Sequence, residues 1–140
     1  IRNNYFARTP TRGILVTTRR KVIIENNVFY RTPMSAIAVS NDARSWYESG
    51  PVHDLTIRNN HFIECGSPVI NIAPENNRPN GTVHKGIRIE NNRFTLKDKQ
   101  AIYARWTDNI RISGNYFDGI LPVSKKESVL LEHCTNVDSE

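Results

Sequence analysis

Ile57-Arg58-Asn59-Asn60-His61-Phe62 is one copy of a hexapeptide, I-x-N-N-x-F, that recurs along the whole chain. Further copies run from Ile1 to Phe6, Ile24 to Phe29 and Ile89 to Phe94, and a weaker fifth runs from Ile112 to Phe117 with Gly114 in place of the first Asn. Self-similarity of this kind marks a repeat architecture. The closing Phe residues stand 23, 33, 32 and 23 positions apart. The unit is therefore 23 residues, and the two middle units carry about ten more.

A second apolar element follows eight residues after each of the first four Phe, placing Ile14, Ile37, Ile70 and Ile102 in one column. Around them stand Gly13-Ile14-Leu15-Val16, Ala36-Ile37-Ala38-Val39, Val69-Ile70-Asn71-Ile72 and Ala101-Ile102-Tyr103-Ala104. The segment before each Asn pair alternates, matching Val22 with Ile24, Leu55 with Ile57, Ile87 with Ile89 and Ile110 with Ile112. Such alternation is that of a strand with one buried face. A unit of two or three short strands cannot bury that face alone, so neighbouring units must stack. The fold expected is all-β: a right-handed parallel β-helix, a single solenoid of about five coils across residues 1–140, forming part of a longer β-helix.

Stacking assigns roles to the repeated polar and aromatic residues. Asn4, Asn27, Asn60, Asn92 and Asn115 fall at a turn, where Asn tolerates left-handed backbone angles and its amide can bond the same amide about 4.8 Å away on the next coil. The Phe residues form a second column inside. The outward positions Arg2, Glu25, Arg58 and Glu90 alternate in sign, and opposite charges on neighbouring strands attract. These arginines are expected to hold the sheet together. They account for part of the net charge of +5, and the remaining cations are scattered, with Arg19-Arg20-Lys21 and Lys125-Lys126 as short runs. That distribution argues against a nucleic-acid partner.

Apolar residues make up 38% of the 140 and charged residues 24%, with no apolar run near the roughly 18 residues of a membrane span. The chain opens in mid-motif, without initiator Met or signal-peptide pattern. Cys65 and Cys134 lie 69 positions apart with no second Cys or His at metal-ligand spacing, so buried free thiols are expected and a metal is not.

The ten-residue surpluses both follow the second strand, from Ser40 to Val52 and from Ala73 to Lys85. Long insertions on adjacent coils usually form a solenoid's binding face. The first contains Asp42, Trp46, Tyr47 and Glu48; the second contains Glu75 and is otherwise polar and proline-braced. The next coil brings Tyr103, Arg105, Trp106 and Asp108 to the same edge, and Asn71 lies on the strand between. Aromatic faces beside carboxylates, amides and guanidinium groups suit a sugar. Candidate substrate contacts are therefore Trp46, Tyr47, Glu48, Asn71, Tyr103, Arg105 and Trp106. Counting five residues past the aligned Ile gives Arg19, Asp42, Glu75 and Thr107, which makes Asp42 and Glu75 a candidate carboxylate pair for glycoside hydrolysis. The alternatives are that Trp46 and Tyr47 only pack their loop, and that Arg19 or Arg78 neutralises both carboxylates.

Arg12-Gly13-Ile14-Leu15-Val16-Thr17-Thr18, Val22 to Phe29, Trp46-Tyr47-Glu48-Ser49-Gly50 and His84 to Asn92 together resemble family 110 glycoside hydrolases. The resemblance covers Arg12 to Phe117. It implies exo-acting bacterial α-1,3-galactosidase chemistry on a β-helix, with inversion, no metal or other cofactor, and an oligosaccharide or polysaccharide substrate. It also implies a secreted or periplasmic protein. The adjacent Asp-Asp expected to carry that catalysis does not occur in these residues, which points to catalytic coils preceding Ile1. Two rival classes remain. One is a β-helix that binds polysaccharide without cleaving it, as an adhesin or tailspike module does. The other is a pectin-type lyase or polygalacturonase relative, disfavoured because no carboxylate cluster suited to Ca²⁺ is present.

Overall fold

The computed structural model describes residues 1–40, 50–75, 81–119 and 125–139. Among the described residues, fifteen short strands form three parallel sheets of five strands each, and each sheet takes one strand from every coil. The sheet that precedes the Asn pairs contains β3 (Val22–Glu25), β6 (Leu55–Arg58), β9 (His84–Glu90), β12 (Thr107–Ser113) and β15 (Thr135–Ser139). Arg2 bridges to Glu25 and extends this sheet by one residue. The Phe sheet contains β1 (Tyr5–Ala7), β4 (Val28–Tyr30), β7 (His61–Ile63), β10 (Arg93–Leu96) and β13 (Tyr116–Gly119). The third contains β2 (Ile14–Val16), β5 (Ile37–Val39), β8 (Ile70–Ile72), β11 (Ile102–Arg105) and β14 (Val129–Glu132), the last preceded by the short helix α1 (Lys125–Ser128). The chain is a right-handed parallel β-helix.

The expected registers hold. Phe6, Phe29, Phe62, Phe94 and Phe117 face one another on successive strands, with ring centroids 4.7–5.0 Å apart and planes within 22° of parallel. Ile14, Ile37, Ile70 and Ile102 also share one column. Between these columns lies a continuous core of Ile, Val, Leu and Phe, in which Phe29, Phe62 and Phe94 are wholly buried.

The Asn column is a ladder in which each member meets its neighbours through several bonds. Asn60 Oδ1 accepts from the backbone N–H of Asn27 at 3.0 Å and from Asn27 Nδ2 at 3.1 Å, while Asn60 Nδ2 donates to Asn92 Oδ1 at 3.1 Å and to the Ile24 carbonyl at 3.0 Å. The same pattern links Asn4 to Asn27 and Asn92 to Asn115. Every polar atom of the buried Asn60 amide is thereby used, which burial requires.

The left-handed residue is the first Asn of each pair, not the second. Asn3, Asn26, Asn59 and Asn91 have φ between 55° and 58°, and Gly114 has φ 65°. The second Asn must hold its amide over the neighbouring coil, so the bend from one sheet into the next falls to the residue before it. Glycine fills that role freely, which explains why the fifth copy can replace the first Asn with Gly114.

Other expectations need correction. The third sheet has a fifth strand, Val129–Glu132, paired with Ile102–Arg105. It begins 12 residues after Phe117 and so escapes the eight-residue rule. Thr107 does not match Glu75 in the stack: it lies within β12, wholly buried and facing His84. Coil four turns from β11 to β12 through Trp106 alone, so equal counting past the strand loses register there. Glu25 pairs with Arg58 at 2.8 Å as the alternation suggests, but Glu90 pairs at 3.8 Å with Arg111. Both cysteines are free; Cys65 is buried and Cys134 only half-buried.

Candidate functional site

Both insertions leave the third sheet and return at β6 and β9, so they share one corner of the solenoid. β9 begins at His84, which moves His84 and Lys85 from the second insertion into the strand. Asp42, Trp46, Tyr47 and Glu48 lie outside the described residues. The remaining candidates lie at this corner or on the sheet face leading to it. Asn71 and Tyr103 are adjacent, half-buried residues on the outer face of the third sheet. The Tyr103 hydroxyl donates to Glu132 Oε2 at 2.9 Å. Burial, and then the Glu132 carboxylate, push the phenol's pKa upward.

Arg105 ends β11 and reaches back to the second insertion, where Nη2 donates to the Pro74 carbonyl at 2.6 Å. Its Nε is buried and has no hydrogen-bond partner among the described residues. Glu75, half-buried, follows Pro74. Trp106 makes the turn itself in a left-handed conformation, φ 50°, and stacks on the ring of His133 at 4.3 Å and 9°. His133 occupies the same turn one coil later, also left-handed at φ 53°. Asp108 Oδ1 accepts from Thr135 Oγ1 and Asn136 Nδ2, both at 2.7 Å, and these bonds hold its carboxyl below the usual range.

Glu132 and His133 complete the corner and were not among the expected residues. Matching Val129-Leu130-Leu131-Glu132 to Ile102-Tyr103-Ala104-Arg105 would have found both. Among the described residues no group of three or more His, Cys, Asp or Glu could hold a metal ion, and no helix is long and apolar enough to cross a membrane.

His84 ties the bases of the two insertions together. Its Nδ1 accepts the backbone N–H of Val52 at 2.9 Å, so the proton of the neutral ring resides on Nε2, which is buried without a partner among the described residues. Val52 closes the first insertion and His84 follows the second. Burial, reinforced by the nearby His53, lowers the His84 pKa from 6.5 to about 4. The unfolded chain therefore takes up this proton at a higher pH than the folded one. The stability that neutral His84 contributes is complete above pH 6.5 and is lost as pH falls from there toward 4, roughly 3 kcal/mol in all. Urea denaturation across this window should show that slope. His84→Asn, whose side chain can still accept from Val52, should flatten it. An unchanged slope would mean that His84 is not held neutral in the fold.

The description "right handed beta helix region" fits residues 1–117 as a family model. The chain is 51% identical, over 98% of its length, to "Alpha-1,3-galactosidase A" of Bacteroides thetaiotaomicron and covers 25% of that protein. It is 46% identical over 84% of its length to "Alpha-1,3-galactosidase A" of Akkermansia muciniphila, covering 20% of that protein. With "Alpha-1,3-galactosidase B" of Bacteroides thetaiotaomicron the identity is 40% over 98% of this chain and 24% of that protein. The chain thus spans about a quarter or less of the length of these relatives. It belongs to the right-handed β-helix family, and within that family it is similar to proteins named α-1,3-galactosidases.

Proposed function

We propose that this chain is the corner-bearing part of an α-1,3-galactosidase that releases terminal galactose from oligosaccharides. What supports the reading is an alignment of 51% overall identity whose 98% coverage of the chain spans the insertions and the Trp106 corner as well as the repeat. A bare β-helix scaffold requires only the Phe, Ile and Asn columns. In this reading Asn71, Tyr103, Arg105 and Trp106, with Trp46, Tyr47 and Glu48, form a wall against the sugar. Asp42 and Glu75 remain the carboxylate candidates within the chain, and further coils of the same β-helix supply the remaining machinery. The Trp106 ring offers a face to the apolar side of a pyranose, and the amide and guanidinium groups offer bonds to its hydroxyls. The same reading puts the protein outside the cytoplasm, in a secreted or periplasmic setting in a bacterium.

The test is incubation of the full-length protein with an α-1,3-linked digalactoside and its β-linked isomer. Free galactose should appear from the α-linked substrate alone. Saturable binding of that substrate without any release would leave a binding module and reject the hydrolase.

A further inference from the structure

The corner on which the Asn pairs lie is a different one from that of the insertions, and its outer side carries a shallow groove. Asn26, Asn59 and Asn91 form one wall of it, and Val28, His61 and Arg93 form the other. The groove runs along the solenoid axis, across the strands, because each wall takes one residue from each successive coil. The wall column continues at both ends into aromatic residues. Tyr5 precedes Val28 and Tyr116 follows Arg93 in register, and these tyrosines are 65% and 61% exposed.

We propose that this groove binds a linear, neutral glycan lying parallel to the solenoid axis. The inference does not rest on the hydrolase reading, since it concerns another corner and other residues.

Periodicity is the first argument. The ladder is made by the second Asn of each pair, so the first Asn of coils two, three and four stands exposed at the coil spacing, about 4.8 Å. One pyranose and its linking oxygen advance a glycan by nearly the same length. Each sugar in turn would therefore meet an exposed amide, whose Nδ2 can donate to the hydroxyl rim even at Asn91, where Oδ1 is turned onto Gly114 of the next coil. The exposed tyrosines add faces for the apolar sides of the rings at each end.

Charge is the second argument. Arg93 is the groove's cation, and it is already paired with Asp118 at 3.2 Å. Burial and the neighbouring Arg93 lower the pKa of His61, whose Nε2 lies 3.1 Å from Thr95 Oγ1. The groove is thus close to neutral at pH 7, unlike a surface for an acidic polysaccharide or a nucleic acid.

The test measures binding of the full-length protein to unbranched β-1,4-linked glucan and galactan oligosaccharides, from disaccharide to hexasaccharide. Heparin serves as the anionic control. Affinity should rise with chain length until the groove is filled. Asn26→Gly and Asn59→Gly remove the amides while keeping a residue that accepts left-handed angles, as Gly114 does at the same place in the fifth coil. Together they should weaken binding tenfold or more, with galactoside turnover and melting temperature unchanged, and Tyr116→Ala should do the same. Failure of every neutral oligosaccharide to bind, binding of heparin alone, or affinity untouched in the Asn variants would overturn the proposal.

Discussion

Phe62→Ala should lower the stability of the protein by about 3–5 kcal/mol, a large share of what holds a typical domain together. The side chain is wholly buried, with Phe29 at 5.0 Å on one side and Phe94 at 4.9 Å on the other. Truncation forfeits the burial and both stacking contacts, and the space left cannot readily close. The strands above and below Phe62 are held at fixed spacing by their parallel ladders and by the Asn60 bonds two residues earlier in the same coil. Cavities that cannot collapse cost the most. Phe117, half-buried in the column, should cost less when truncated. Lys97, exposed in the turn after β10, should change stability by no more than about 0.5 kcal/mol when replaced by Ala. Chemical denaturation of the three variants checks the order. Equal losses for Phe62 and Lys97 would mean that the Phe column is not the core.

The columns were legible because a solenoid writes its contacts into sequence at a fixed period. Phe29 and Phe62 meet in space for the same reason that they align in text, and so do Ile37 and Ile70. Period alone says less about which residue of a repeated pair takes which job. Asn26 and Asn27 both tolerate a turn, and only the hydrogen bonds assign the left-handed angle to the first and the ladder to the second. Legibility also fails where the spacing changes. β14 lies 12 residues beyond Phe117, and with it Glu132 and His133 dropped out of the expected corner. In sequence His84 stands at the end of the second insertion, yet its place in β9 beside Thr107 and its bond to Val52 make it part of the interior. The corner itself could be anticipated from the two insertions, because stacking puts surplus residues of adjacent coils side by side. The bonds that Tyr103 makes to Glu132 and Arg105 to Pro74 could not, since each depends on a register set by the length of a turn.

Turnover of an α-1,3-galactoside by full-length protein carrying Trp106→Asn or Trp46→Ala tests most directly whether the insertion corner faces the sugar. Asn suits the left-handed turn at position 106, as Asn109 and Asn136 show at φ 55° and 50°, so the ring is removed and the turn kept. If these rings meet substrate, kcat/KM per folded molecule should fall tenfold or more in each variant, because losing about 1.4 kcal/mol of transition-state contact already gives that factor. Folding should survive both changes. Glu48→Gln separates binding from proton transfer: a carboxylate that only accepts sugar hydroxyls loses affinity, while one that moves a proton loses kcat as well. Lowered melting temperatures with full kcat/KM in the folded fraction of both tryptophan variants would contradict the account, leaving the corner as packing alone.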